Sequence, residues 1–300
     1  MMKYGIVKEN FYVEFEGEYL KGKKWSGKGY DENGKVIYEI KDGAGKIKEN
    51  HLLNTFEGEY LNGEKNGKGK EYDKGKLIFE GEYLNGKKSG KVKQYDEDKL
   101  IFEGEYLDDI KNGKGVLYYG NGKIRFEGEF LKGKKWIGKG YDVDGNIIYE
   151  INNGTGMIKE YNSSGTIKFE GDYLNGEKNG KGKEYDSSGT IIFEGEYLNG
   201  EKNGKGKEYD DGKLIFEGEY LNGKKNGKGK QYDEDKLIFE GEYLNGKKYG
   251  RGIAYNNNGQ VIYEGNYVNN NFLKKNVDIQ HKDGKLCIDK NVIKETHRCI

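Results

Sequence analysis

The chain has 300 residues, of which 33% are hydrophobic and 35% are charged, and its mean hydropathy is −1.03. Its 52 Lys and Arg residues equal its 52 Asp and Glu residues, so no net field favours nucleic acid or an anionic membrane. This composition is close to that of disordered proteins, but 26 tyrosines and 12 phenylalanines alternate strictly with polar residues and proline is absent. We therefore expect an ordered, β-rich chain.

The N-terminal segment from Met1 to Lys8 has no apolar core that could serve as a signal peptide, and no window approaches a membrane span. Cys287 and Cys299 are the only cysteines of the sequence, and both lie near its end. A pair in this position builds no disulfide framework, which fits a reducing compartment. These features predict a cytoplasmic protein.

A sequence motif, Phe-Glu-Gly-Glu-Tyr-Leu-Asn-Gly, recurs along most of the chain, and uninterrupted copies are spaced by 23 or 24 residues. A period of this length is typical of repeat architectures. Near-identical units leave few unique residues for an active site but can build an extended binding surface, so we expect no enzyme. The central glycines of the motif are Gly17, Gly58, Gly81, Gly104, Gly128, Gly171, Gly195, Gly218 and Gly241, with an altered copy at Gly265.

The unit around Tyr60 shows what one repeat predicts. Its phenylalanine, glycine and tyrosine alternate with glutamates, which is the period of a β-strand. The Asn62-Gly63 pair that follows predicts a type I′ hairpin turn, which needs positive φ at both positions. An even loop places Gly67 and Gly69 of the return strand on the aromatic face, where the missing side chains let the rings lie flat. Glutamates and lysines then pair across the opposite face.

Consecutive hairpins of this kind predict an all-β fold, an elongated single-layer antiparallel ribbon stabilised by neighbouring units. Right-handed strand twist is expected to coil the ribbon and to wrap the aromatic stripe into a groove. The array is assigned to residues 1–272, and residues 273–300 to a degenerate capping hairpin and tail. A cap is expected because the last strand otherwise exposes an open edge.

The array is itself an internal duplication whose two copies, residues 17–127 and 128–240, begin 111 residues apart. Trp25 and Trp136 occupy equivalent places in the two copies, and each is followed by a short unit that lacks the Gly-Glu-Tyr core. The short units are expected to leave notches along one edge of the ribbon. The notches are either deletions copied with their block or docking sites with the tryptophans as anchors.

The pattern Glu-Gly-Glu-Tyr with Gly63, Gly67 and Gly69 in a 23-residue frame resembles the MORN repeat family. The resemblance covers residues 15–267 and is closest to a variant common in bacterial and lower-eukaryotic arrays, including antitoxin-like proteins. It implies rod-like scaffolds that bind proteins, and membrane-lipid binding is often proposed for the family. Departures from the pattern are Asp108-Asp109 in place of Asn-Gly, Val92 in place of a glycine, and the two short units.

Residues with metal or catalytic chemistry are few in this sequence. The best metal candidate is the cluster of His281, Cys287, His297 and Cys299, and a plain cap and tail is favoured over it. Asp142 begins a segment that is similar to a calcium loop, but the continuation does not complete the ligand pattern, so we predict a turn. No catalytic residue, metal or cofactor is expected.

The favoured function is a structural scaffold or interaction module that presents an aromatic groove to a partner protein. Binding of phospholipid headgroups is the alternative, and an antitoxin-like regulatory protein is a remote one. Association of copies end to end or as a homodimer stays open, and no nucleic-acid partner is expected. The structural alternative for the tyrosines is that they only hold the ribbon together. The candidate groove residues are Tyr60, Tyr83, Tyr106, Tyr173, Tyr197, Tyr220 and Tyr243.

Overall fold

A computed structural model of the chain describes residues 2–9, 12–51, 53–162, 164–273, 280–282 and 285–287. All regular secondary structure in these residues is β-strand, which confirms the all-β prediction. The chain divides into two compact units, Met1–Glu177 and Lys178–Ile300.

The strands follow one another with short turns between them. In the first unit they are β1 Met2–Glu9, β2 Tyr12–Leu20, β3 Lys23–Tyr30, β4 Val36–Ile40, β5 Gly45–His51, β6 Asn54–Leu61, β7 Glu64–Asp73, β8 Lys76–Leu84, β9 Lys87–Asp96, β10 Lys99–Leu107, β11 Ile110–Tyr118, β12 Ile124–Leu131, β13 Lys134–Tyr141, β14 Ile147–Ile151, β15 Gly156–Tyr161 and β16 Ile167–Leu174. In the second unit they are β17 Glu177–Tyr185, which begins at the boundary, β18 Ile191–Leu198, β19 Glu201–Asp210, β20 Lys213–Leu221, β21 Lys224–Asp233, β22 Lys236–Leu244, β23 Lys247–Tyr255, β24 Val261–Val268, β25 Asn271–Phe272, β26 Gln280–Lys282 and β27 Lys285–Cys287.

Within each sheet every strand pairs antiparallel with its neighbours in sequence, as a ribbon of hairpins requires. In the first unit β1–β4 form one sheet, β5–β14 form a second, and β15 pairs with β16. In the second unit β17–β25 pair in chain order, and β26 pairs with β27. The breaks after β4 and β14 fall at the two short units, where isolated bridges join Lys41 to Ala44 and Asn152 to Thr155. The expected bounds of the array and its cap stay a prediction.

The hairpin turns have the predicted geometry. Asn62 and Gly63 have φ values of 55° and 74°, so both central positions are left-handed, as in a type I′ turn. Asp108 and Asp109, which depart from the Asn-Gly pattern, have φ values of 50° and 68° and close the same kind of turn. Aspartate tolerates this conformation better than most residues, which explains why the substitution keeps the hairpin.

The return strands carry an irregularity that simple alternation does not predict. Between the pairs Gly58–Gly69 and Tyr60–Lys65, strand β7 has two more residues than β6. Gly67 lies in this bulge with φ +93°, and a Cβ there would overlap the Glu59 carboxylate. The number of extra residues is even, so the side chains beyond the bulge keep their faces.

Candidate functional site

The face that carries Phe56 and Tyr60 and their equivalents is called the aromatic face. The Phe56 ring lies flat on the backbone of β7 at Gly69. The contact is so close that a Cβ on Gly69 would be only 2.7 Å from two atoms of the Phe56 ring. On the other side of the ring the Lys65 ammonium is 4.0 Å from the centroid, and the Tyr83 ring meets it edge-on at 5.4 Å. Phe56 is therefore enclosed by a glycine floor, a lysine roof and tyrosine walls.

The lysine roof was not anticipated from the sequence, although it has a signal there. The lysine is the residue directly opposite the repeat tyrosine across the turn, as in the pair Tyr60–Lys65, so it must project onto the aromatic face. A cation over the face of an aromatic ring is attracted by its quadrupole. The same contact, at 3.9–4.4 Å from the centroid, joins Lys88 to Phe79, Lys111 to Phe102, Lys202 to Phe193, Lys225 to Phe216 and Lys248 to Phe239.

Glutamates on the same face neutralise several of these lysines. Glu71 lies opposite Phe56 and Phe79 and bridges two ammonium groups, with Lys65 Nζ at 3.3 Å and Lys88 Nζ at 2.7 Å. Burial alone would raise the pKa of Glu71, but the hydrogen bond and charge of Lys88 and the charge of Lys65 hold it below its ordinary value. Glu184 bridges Lys178 and Lys202 in the second unit in the same manner.

The repeat tyrosines are core residues rather than an open contact surface. Tyr83 packs edge-on against Phe79 at 5.6 Å as well as against Phe56, and burial raises its pKa above the ordinary range. The prediction that the stripe is open to a partner does not hold for the five tyrosines that are only 4–8% exposed. Four of these rings each contact two phenylalanine rings, and the fifth, Tyr197, contacts Phe193 edge-on at 5.6 Å. The five are Tyr83, Tyr106, Tyr197, Tyr220 and Tyr243; Tyr60 and Tyr173 are half-buried.

A cleft lies on the opposite face, whereas buried rings fill the place of the predicted aromatic groove. This charged face carries Glu57, Glu59 and their equivalents, and in the first unit it forms a cleft of about 920 Å³ between residues 46 and 116. The bulky rings and their lysine roof fill the aromatic face, whereas strand alternation places only backbone between the charged rows of the other face. The floor of the cleft is formed by Gly58, Gly69, Gly81, Val92, Gly104 and Gly115.

Two rows of alternating glutamates and lysines border this floor. In one row Lys70 is 3.5 Å from Glu80, and Lys93 is 3.7 Å from Glu103. The other row contains Glu59, whose carboxylate turns toward the bulge and accepts a hydrogen bond of 3.0 Å from the Lys68 backbone N–H. The predicted pairing of Glu and Lys across this face is therefore seen, and the second glutamate of the motif also caps a bulge.

Repeat-family comparison agrees with this geometry. Residues 56–76, 79–91, 102–124, 169–191, 193–213 and 216–236 match the MORN repeat, and residues 248–269 match the MORN repeat variant. The chain is a MORN-repeat protein. The matched segments begin at or next to the motif phenylalanine in most copies, so they coincide with the hairpins described above. MORN repeats are a non-catalytic repeat type that is consistent with a scaffold or interaction module. A comparison with curated proteins finds no match.

An exposed row of leucines runs beside the MORN cleft. The leucine after each motif tyrosine alternates onto the charged face at the end of its strand, next to the turn. It is unusually open for its type, with 47% of Leu61, 54% of Leu84 and 54% of Leu107 accessible. Sequence alternation could have identified this row, since a leucine repeats at the same place in each unit.

The two tryptophans lie at the two short units of the array. The Trp25 carbonyl accepts a hydrogen bond of 2.7 Å from the Gly43 N–H, and its indole would be 2.7 Å from a Cβ on that glycine. Trp136 has the same relation to Gly154. Each half-buried indole thus covers the short turn of its own unit. A role as a partner anchor stays a prediction.

The predicted metal cluster lies partly outside the described residues. His297 and Cys299 are outside the described residues, and only the backbone of His281 and Cys287 is described, in the β26–β27 pair. Within the described residues no group of three or more His, Cys, Asp or Glu side chains could hold a metal ion. The Asp142 segment forms the predicted turn, with its carboxylate accepting the Asp144 N–H at 2.9 Å. Among all residues that the structure describes, no helix is long and apolar enough to cross a membrane.

Proposed function

We propose that this MORN-repeat protein is a non-catalytic scaffold that binds a partner protein on its charged face, over residues 46–116. The observation that carries the proposal is the cleft of about 920 Å³ with the exposed leucine row beside it. Exposed apolar rows rimmed by polar residues mark interaction sites. The flanking charges would fix the register of a partner more than its affinity.

The spacing of the leucines indicates the form of the partner. Each hairpin contributes one leucine, and two strands about 4.8 Å apart give a repeat of about 10 Å. Side chains seven residues apart on an α-helix are separated by about 10.5 Å, so an amphipathic helix can place one apolar residue at each leucine. The proposed partner segment is such a helix, with acidic and basic residues that complement the two charged rows.

The experiment immobilises the wild-type chain and two variants, and compares the proteins that each one captures from an extract of the source cells. Leu84→Ser with Leu107→Ser removes exposed apolar area without touching the core, and Ile262→Ser changes an equally open residue, 64% exposed, outside the row. We expect the leucine pair to lose a protein that the wild type and Ile262→Ser both retain. Equal capture by all three chains would refute the proposal.

A vesicle assay separates this proposal from binding of phospholipid headgroups. Several lysines of the charged face are paired with glutamates, as Lys70 is with Glu80, which leaves little free positive charge for a headgroup. We expect no sedimentation with vesicles of phosphatidylcholine and phosphatidylserine in equal parts. If the wild type sediments with the vesicles and the variant Leu84→Ser with Leu107→Ser does not, the ligand of this face is a membrane and not a protein.

A further inference from the structure

The ladder of lysines and glutamates on the aromatic face is interrupted at Lys111. A roof lysine can reach a glutamate in two places, as Lys65 reaches Glu71 six residues later and Lys88 reaches the same Glu71 on the preceding return strand. For Lys111 the two equivalent positions are Leu117 and Gln94, and neither carries a charge. Both positions are confirmed by pairing, because Leu117 and Gln94 each lie opposite Phe102.

Lys111 consequently keeps a half-buried charge that the chain does not neutralise. Its ammonium is 4.4 Å from the Phe102 centroid, and no ion pair joins it to any carboxylate of the described residues. Burial lowers the pKa of Lys111, and the nearby charges that act on it, Arg125 and Lys135, lower it further. A desolvated cation is costly unless an anion accompanies it.

The neighbouring cations differ in whether a carboxylate neutralises them. The Lys135 ammonium is 3.6 Å from the Glu160 carboxylate. Arg125 instead donates a hydrogen bond of 3.3 Å to the Tyr161 carbonyl oxygen and makes no ion pair within the described residues. Lys248 shows the same loss of glutamates, with Gln231 and Ala254 in the equivalent positions, but burial is the only influence on its pKa. Of these two lysines, only Lys111 has further cations acting on it, so the excess of positive charge is larger there.

We propose that Lys111 binds the carboxylate of an acidic segment of a partner protein, which takes the role that Glu71 fills for Lys65 and Lys88. A carboxylate is favoured over a phosphate because the chain itself uses a carboxylate at this place in the adjoining hairpin, 2.7–3.3 Å from two ammonium groups. This site is on the aromatic face and is independent of the cleft proposed above.

The test supplies the missing carboxylate from the chain itself or removes the cation. Gln94→Glu restores the missing carboxylate next to Lys111, and Lys111→Gln removes the cation; each is compared with the wild type for binding of a fluorescein-labelled hexaglutamate peptide at low ionic strength. We expect both variants to weaken binding about three- to fivefold, the effect of losing one ion pair. Gln260→Glu, in an exposed turn, makes the same change in net charge and should bind as the wild type does.

A second measurement reports on Lys111 itself. In a ¹³C NMR titration of the lysine ε-carbons, the Lys111 signal is the one missing in Lys111→Gln, and its pKa should rise on adding the peptide and in Gln94→Glu. Unchanged peptide affinity in Gln94→Glu, or an equal loss in Gln260→Glu, would overturn the proposal. Binding to phosphatidylserine vesicles but not to the peptide, lost in Lys111→Gln, would overturn the assignment to a carboxylate.

Discussion

Substituting Gly206 by alanine tests the packing of the phenylalanine core. A Cβ on this residue would be 2.5 Å from Cζ of Phe193 and 3.2 Å from Cε2 of Tyr220. Carbon atoms in contact are normally about 3.5–4.0 Å apart, so the Phe193 ring has to move by about 1 Å. The backbone of Gly206 is not left-handed, so the added methyl group acts only through this contact.

The ring has little room for that movement. Phe193 is 0% exposed, the Lys202 ammonium is 3.9 Å above its centroid, and the Tyr220 ring is edge-on at 5.3 Å. Overpacking of a filled core costs about 1–3 kcal/mol, and a weakened cation–π contact adds about 0.5–1 kcal/mol. Alanine restores about 0.4–1 kcal/mol by restricting the unfolded chain. We therefore expect a net loss of about 1–3 kcal/mol.

Urea unfolding followed by far-UV circular dichroism measures the loss as a lower midpoint at unchanged slope. The control is Lys207→Gln, at the adjacent residue, whose exposed side chain is 3.8 Å from Glu194 across the charged face. That change should cost less than about 0.5 kcal/mol. Equal midpoints for the two variants would show that the rings do not lie on the glycine backbone.

Three further outcomes are expected. Because the pKa of Glu71 is lowered in the folded state, Glu71→Gln should lower stability at pH 7; in urea melts across pH its difference from the wild type should begin to shrink near the ordinary glutamate pKa of about 4.3 and vanish only below the lowered pKa of the folded state. Trp136→Ala should cost about 1–3 kcal/mol through the exposed short turn; partner loss at unchanged stability would instead make the indole an anchor. Tyr197→Ala with Tyr220→Ala should reduce the β-structure signal, since both rings are core; an intact spectrum would contradict their burial.

The sequence predicted the hairpin and its faces because each depends on local rules. Asn62-Gly63 requires left-handed backbone at both positions, and side chains alternate along any strand, so turn type and face could be inferred without knowing the neighbours. The flat packing of Phe56 on glycine followed from the same alternation. These features of the fold were confirmed.

The candidate site was less predictable because it depends on relations between hairpins. The bulge at Gly67 moves Glu71 opposite Phe56, and this register brings Lys88 of the next hairpin to that carboxylate. Alternation alone does not reveal this two-residue shift. The burial of the repeat tyrosines also depends on rings of neighbouring hairpins, as Tyr83 contacts Phe56 as well as Phe79, so alternation within one unit did not reveal it.

The repeat also limits where binding specificity can lie. Most residues of the motif already have a partner within the chain: the phenylalanine lies between glycine and lysine, Glu59 caps a bulge, and Glu80 accepts a hydrogen bond of 2.7 Å from Tyr95. A partner that used these groups would have to break contacts that hold the ribbon together. Among the described residues, the groups that folding leaves over include the exposed leucines and the lysines Lys111 and Lys248, whose glutamate positions depart from the motif. Recognition in such an array is therefore expected to use groups that folding leaves exposed: the repeated leucines supply an extended apolar row, and a departure from the repeat supplies a local charge at Lys111.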